Sequence, residues 1–159
     1  MSEPEIVELT AHDPRLGAVR ALFEEYAASL PFDLDFQGFA DELAGLPGAY
    51  APPRGRLLLA LDGGSAVGCV ALRPVDRRTA ELKRLYVRPQ ARGSGAGRRL
   101  TEAAVAAARA AGYERIVLDT VPGMEAAQAL YRSLGFADTG PYRFNPVEGA
   151  SFLELRLRR

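Results

Sequence analysis

With 159 residues, the chain is long enough for one core of ordinary size and short for two domains. Apolar residues make up 48% and charged residues 25%, the make-up of a globular protein and not of a disordered one. A net charge of zero argues against attraction of the whole molecule to nucleic acid or to an anionic membrane. One cysteine and one histidine exclude an internal disulfide and a Cys/His metal site, so no metal is expected. The basic residues are arginine throughout, except Lys83.

The start, MSEPEIVELT, is acidic and lacks the apolar centre of a secretion signal. No run approaches the roughly 18 apolar residues of a membrane span, and a cytoplasmic location is expected. EIVEL alternates apolar and polar residues, which predicts a strand over Glu5 to Leu9. Next comes a helix with Asp13 as N-cap and Pro14 at its first position. Its apolar stripe runs through Leu16, Val19, Leu22, Phe23 and Tyr26 at helical spacing. His12, just before it, is expected at the surface. A second helix is predicted from about Gln37 to Leu46, ended by GLPG.

RLLLALD and SAVGCVALRPVD are apolar runs joined by DGGS, a strong hairpin signal. Cys69 lies in the second run as a small buried filler. RTAELKRLYVRP predicts the next strand, closed by Pro89, and an alanine-rich helix then runs to Gly112 as its stop. YERIVLDTV reads as a strand, PGMEAAQALYRSLGF as a helix and ASFLELRLRR as a last alternating strand. The expected order is β-α-α-β-β-β-α-β-α-β in one domain spanning 1–159. This is an α/β fold whose hairpins require a mixed sheet, with helices on both faces.

The segment RGSGAGRR joins a strand to a helix N-terminus, where unpaired amides and a partial positive charge favour an anion. Arg92, Arg98 and Arg99 would add cations there. A tight turn with solvated arginines is the alternative. No Gly-Lys-Ser/Thr is present, which excludes a Walker loop. The spacing G-x-G-x-G after a late strand does not fit the dinucleotide fingerprint.

QARGSG, Gln90 to Gly95, matches the Q/R-x-x-G-x-G/A element of the GNAT (GCN5-related) N-acetyltransferases. ELKRLYVRPQARGSGAGRRL resembles that family's strand, loop and helix, and AAQALYRSLGF resembles its later helix. The resemblance covers most of residues 56–138 and implies a GNAT-like acyl-CoA N-acyltransferase fold. It further implies acetyl-CoA as co-substrate, its diphosphate held at Arg92, Gly93, Ser94, Gly95, Ala96, Gly97 and Arg98. The pantetheine arm would lie along Leu85, Tyr86 and Val87 in a wedge between the fourth and fifth strands, with the Val87 amide polarising the acyl carbonyl.

By the same resemblance Tyr131 faces the cofactor sulfur and would protonate the leaving thiolate, while a core tyrosine is the structural alternative. Glu81 matches a glutamate that serves some members as general base, and at the rim of an apolar sheet its pKa would be raised. An ion pair with Lys83 is the alternative. Met124 stands where many members carry an asparagine that contacts the cofactor. The acceptor would sit among Tyr26, Phe32, Asp33 and Phe36 in front and Tyr142, Arg143, Phe144 and Asn145 behind. Arg143 would suit an acceptor bearing a carboxylate.

The implied activity is direct transfer of an acetyl group to a primary amine of a small molecule or peptide in a ternary complex. The rival is an acyl-CoA-binding module without turnover. The terminal strand could pair across a homodimer interface, and the acceptor's identity stays open.

Overall fold

The computed structural model describes residues 3–34 and 38–157. Its strands are β1 (Glu5–Glu8), β2 (Arg56–Asp62), β3 (Ser65–Pro74), β4 (Thr79–Val87), β5 (Arg115–Thr120), β6 (Ala137–Asp138) and β7 (Ser151–Arg156). The helices are α1 (Leu16–Ser29), α2 (Phe39–Ala44), α3 (Ala96–Ala110) and α4 (Glu125–Ser133). They surround one sheet of order β1-β2-β3-β4-β5-β7-β6. Only the β4–β5 pair is parallel; the other neighbours are antiparallel. The mixed sheet read from the sequence is therefore what forms.

Strand alternation builds a core on each face. Leu58 and Ala60 of β2 join Leu100, Ala104 and Ala108 of α3, with Tyr131 of α4. Leu57 and Leu59, one residue out of phase, join Val19, Leu22 and Phe23 of α1. Period-two side chains on a sheet covered on both faces make β2 a continuous apolar run. Burying one such leucine contributes about 1.5–3 kcal/mol.

The hairpin is the one the sequence announces. Gly63 and Gly64 both have positive φ, 57° and 86°, and join Asp62 directly to Ser65. A two-residue turn of this kind matches the twist of the strands it connects. The stop of α3 follows as well: the Gly112 amide donates to the Arg109 carbonyl and that of Tyr113 to the Ala108 carbonyl. This double bond pattern needs a left-handed residue, and Gly112 has φ 89°.

Several boundaries move. Helix α1 begins at Leu16, two residues beyond the proline, because the Asp13 carboxylate accepts from the amides of Thr10 and Arg15 and organises a turn before it. Helix α2 is shorter than expected, Phe39–Ala44, and the anticipated start at Gln37 lies outside the described residues. A two-residue strand, β6, was not anticipated; with no alternating run, its pairing depends on β7 alone. The terminal strand is not an edge: β7 lies between β5 and β6, which limits the pairing across an interface expected of it.

His12 is exposed, and Cys69 is buried with its thiol donating to the Arg84 carbonyl at 3.3 Å. Among the described residues no helix is long and apolar enough to cross a membrane.

Candidate active site between two diverging strands

The site is created by a parallel pair that does not stay paired. Strands β4 and β5 match at Thr79↔Arg115, Ala80↔Ile116 and Glu81↔Val117, and nowhere beyond. From Leu82 to Val87 the edge of β4 facing β5 has lost its strand partner. Main-chain groups in that position need water or a ligand to bond to. Helix α4, which follows β5, supplies the far wall of the opening.

A bulge in β4 sorts the side chains around it. Cys69 of β3 pairs with Tyr86 and Ala71 with Lys83, so two steps on β3 oppose three on β4. Arg84, at φ 63°, is the only described non-glycine residue with positive φ, a conformation costing about 1–2 kcal/mol. Its buried guanidinium forms a two-pronged pair with Glu42 of α2, at 2.8 and 2.9 Å. The extra residue shifts strand phase. Ala80 and Leu82 before it and Leu85 and Val87 after it all pack on the α3 side. Glu81 and Lys83, whose partners are Arg73 and Ala71, take the α1 side together with Tyr86.

Two hollows lie along the opening and share Leu85, Ala126 and Ala127 in their walls. The outer one, about 370 Å³, runs from Gly93, Gly95 and Gly97 along Leu85 and Val87 to Ala126, Ala127 and Leu130. The inner one, about 170 Å³, continues past Leu85, Ala126 and Ala127 to Tyr26, Lys83, Arg84, Asp119, Thr120, Met124 and Tyr131. A slot with an apolar outer wall and a polar inner end would suit a long ligand with a reactive tip.

The glycine turn passes the test of an anion cradle. Gly93 and Gly95 have φ 85° and 88°, and a Cβ on either would meet nothing within 4 Å. Both glycines are among the residues that line the outer hollow. Gly95 caps α3, and the amides of Gly97 and Arg98 have no acceptor in their own helix. The amides of Arg92, Ser94 and Ala96 are already engaged, by Pro89, Ala91 and the Ser94 hydroxyl. The cradle is therefore narrower than the seven residues expected. The Arg92 guanidinium donates to the Val87 carbonyl at 3.1 Å, and Arg98 reaches the Ser133 hydroxyl of α4 at 2.8 Å. Arg99 leaves the cluster to pair with Glu3 at 3.0 Å.

Tyr131 lines the inner hollow and is buried, its ring 5.6 Å from that of Phe136. Burial pushes its phenol above the usual range, and the charge of Asp119 adds to this. It therefore holds its proton in the resting site. Met124 also lines the hollow, where its thioether accepts from the Thr120 hydroxyl. The departure from asparagine thus places a soft apolar side chain at this wall.

Glu81 is 1% exposed. Arg73 donates to it at 2.9 Å, Arg143 approaches to 3.1 Å and the Tyr142 hydroxyl donates to its other oxygen. The raised pKa expected for it does not occur. Burial alone would raise it, but Lys83, the Tyr142 hydrogen bond, Arg143 and Arg73 outweigh burial and hold it below the ordinary value.

Arg143 also binds Asp119 at 3.0 Å, and Asn145 donates to the same carboxylate oxygen at 2.9 Å. These bonds tie the β6–β7 loop to β5, but Tyr142, Arg143, Phe144 and Asn145, expected behind the acceptor, are not among the residues that line the inner hollow. The ion pairs also engage Arg143 with two carboxylates of the protein, so it does not stand open for an acceptor's carboxylate as expected. Phe144 is 79% exposed. Tyr26 reaches the hollow; Phe32 and Asp33 are not among its lining residues, and Phe36 lies outside the described residues.

Sequence reasoning missed Asp119, Thr120, Arg84 and the α4 residues Ala126, Ala127 and Leu130, and took Lys83 only as a partner for Glu81. Asp119 ends a strand whose pattern looks like plain core. Only its divergence from β4 gives that position meaning.

Comparison with known proteins agrees with this geometry. Residues 19–136 match the Acetyltransferase (GNAT) family. An uncharacterised N-acetyltransferase of Schizosaccharomyces pombe is 39% identical over 146 residues, covering 91% of this chain and 90% of that protein. The chain belongs to the GNAT acetyltransferase family. Among solved structures, an acetyltransferase of Streptococcus agalactiae superposes with a TM-score of 0.77 at 26% identity, covering 98% of this chain and 99% of that one. A Salmonella typhimurium acetyltransferase described with its cofactor acetyl-CoA has a TM-score of 0.67 at 22% identity, covering 96% and 94%.

Proposed function

We propose that this protein transfers an acetyl group from acetyl-CoA to a primary amine of a small molecule or peptide, directly within a ternary complex. The observation that carries the reading is the pair of adjoining hollows between the glycine turn and Tyr131, lying where β5 leaves β4. The Salmonella relative of the same fold holds acetyl-CoA.

Bound there, acetyl-CoA would supply an activated acyl group on a good leaving thiolate. The chain's own groups would do the rest. The amides of Gly97 and Arg98, with the bare turn at Gly93 and Gly95, would accept the diphosphate. The open edge of Leu85 to Val87 would bond the amide-bearing arm as an added strand would. The Val87 amide would polarise the acyl carbonyl. Tyr131 would hand its proton to the sulfur as the thiolate leaves. Glu81, held ionised among Arg73, Arg143 and Tyr142, would anchor the β6–β7 loop; its ion pairs are with Arg73 and Arg143 and not the one expected with Lys83.

Calorimetric titration with coenzyme A, followed by thiol release against a panel of amines, tests this. Micromolar binding with amine-dependent release is the expected result. Tight binding without release for any amine would leave an acyl-CoA-binding module. No binding would remove both readings.

A further inference from the structure

Lys83 is among the residues that line the inner hollow, and it is unusual for this chain. Lysine and arginine together number twenty, and Lys83 is the only lysine among them. Elsewhere the chain uses a cation that cannot give up its charge. The one lysine, which can do so, belongs to the stretch of β4 that lines the hollow with Tyr131, and it is 5% exposed.

We propose that Lys83 is the general base of the transfer, taking the proton from the acceptor's ammonium at the inner end of the slot; this rests on the transferase reading above.

The geometry favours Lys83 over its neighbours. Asp119 lines the same hollow but accepts from Arg143 and Asn145. Glu81 is enclosed by Arg73, Arg143 and Tyr142 and does not line the hollow. Lys83 precedes the bulge, on the face opposite Leu85 and Val87, so the proton acceptor and the cofactor wall lie on opposite sides of one strand.

The groups around it also suit a neutral amine. Arg84 is beside it on β4, Arg73 on β3 and Arg143 in the β6–β7 loop, with Glu81 on β4 and Glu42 on α2 against them. Tyr26 on α1, Asp119 on β5 and Tyr131 on α4 line the same hollow, and Tyr142 bonds Glu81. Burial first, then Arg84, lower its pKa, Glu81 opposes them, and Arg73 and Arg143 lower it further, to about 7. A base titrating near the working pH is the most effective kind.

The protons balance. The acceptor's ammonium gives one proton to Lys83, which releases it to solvent. The freed amine forms the new C–N bond as the C–S bond breaks. The second proton of that nitrogen replaces the one that Tyr131 delivers to sulfur. The net products are amide, thiol and one proton.

A lone lysine permits a direct measurement. In protein carrying carbon-13 at the lysine ε position, one resonance should titrate with a midpoint near 7; a midpoint above about 9 would overturn the proposal, since free lysine titrates near 10.4. The kinetic test uses Lys83→Arg, which keeps the charge but not the basicity, with Lys83→Met as a second variant should the arginine not fit. Phenethylamine is an ammonium ion at pH 7, and aniline is neutral. Lys83→Arg should lower kcat/KM at least about 100-fold for phenethylamine and no more than about threefold for aniline, with coenzyme A affinity unchanged. The wild-type phenethylamine rate should rise with pH through about 7. Equal losses on both amines would make Lys83 a structural cation, and no loss would make it a bystander; either result overturns the proposal. If wild-type protein acetylates neither these nor any amine of the panel, the transferase reading itself fails, and this inference with it.

Discussion

The two halves of β4 are one strand built to opposite ends. Over Thr79–Glu81 it is paired on both edges, to β3 and β5, and behaves as ordinary core. Over Leu82–Val87 it keeps β3 but loses β5, takes a bulge at a left-handed arginine and lines both hollows. The first half contributes stability through its ladder. The second gives up roughly 1 kcal/mol for each hydrogen bond it forgoes. The proposed site lies where the sheet stops satisfying itself, and the charged network on Glu81 marks the point of change.

Four experiments press on that contrast. The largest effect is expected from Tyr131→Phe, at the inner end of the open half. Turnover should fall about 10- to 1000-fold with coenzyme A affinity unchanged, measured by thiol release and calorimetry. An unaltered rate would return the tyrosine to the core.

Gly95→Val comes next. The branched side chain would strain a φ of 88° and project into the mouth of the slot. Coenzyme A affinity should drop about 10- to 100-fold, or about 1.4–2.7 kcal/mol. Gly63→Val in the hairpin shares the positive φ and the open space, so it is the control. It should cost comparable stability and no affinity. Equal affinity losses at both sites would mean that folding, and not the cradle, is being read.

Glu81→Gln tests the junction of the halves. Removing the charge that Arg73 and Arg143 share should destabilise the fold by about 1–3 kcal/mol at pH 7, less than a fully buried pair because both arginines reach solvent. The pKa of Glu81 is lowered in the folded state. Its contribution is therefore complete above the unfolded value, near 4.3, and is lost as pH falls through the lower native value. Urea melts of the two proteins should differ at pH 7 and converge in acid. A gap constant with pH would assign the loss to shape and not to charge.

The smallest effect belongs to Arg98→Ala. Its pair with Glu102 at 3.5 Å is about half exposed on each side, so stability should change by less than about 0.5 kcal/mol. Any loss of coenzyme A affinity should be a few-fold and should shrink in high salt. A larger, salt-insensitive loss would promote Arg98 to a structural part of the cradle.

Much of this was legible beforehand, and unevenly so. The hairpin at Gly63–Gly64 and the stop at Gly112 followed from local backbone chemistry, because each needs a left-handed residue; the start of α3 was legible only as lying within the glycines, and the structure puts its cap at Gly95. Residues Arg92 to Arg98 do turn into α3, yet their free amides were overcounted, since those of Arg92, Ser94 and Ala96 are engaged within the turn. The family pattern put Tyr131 at the cofactor and Tyr26 with the acceptor, while only the folded chain shows that both line one hollow. Glu81 could be located but not its ionisation, which depends on Arg73 across the ladder, Tyr142 and Arg143 from a distant loop. Lys83 was visible as the lone lysine, while the hollow it lines was not.

Periodicity, turn chemistry and the glycine motif, taken from the amino acids alone, determined the mixed sheet, its elements and the mouth of the slot, because those features rest on bonds between near neighbours. The divergence of β5 from β4, the bulge at Arg84 and the charges gathered around Glu81, Lys83 and Asp119 were decided only in three dimensions. They join residues far apart in the chain, and burial and Coulomb energy depend on what lies nearby in space, whatever its place in the sequence.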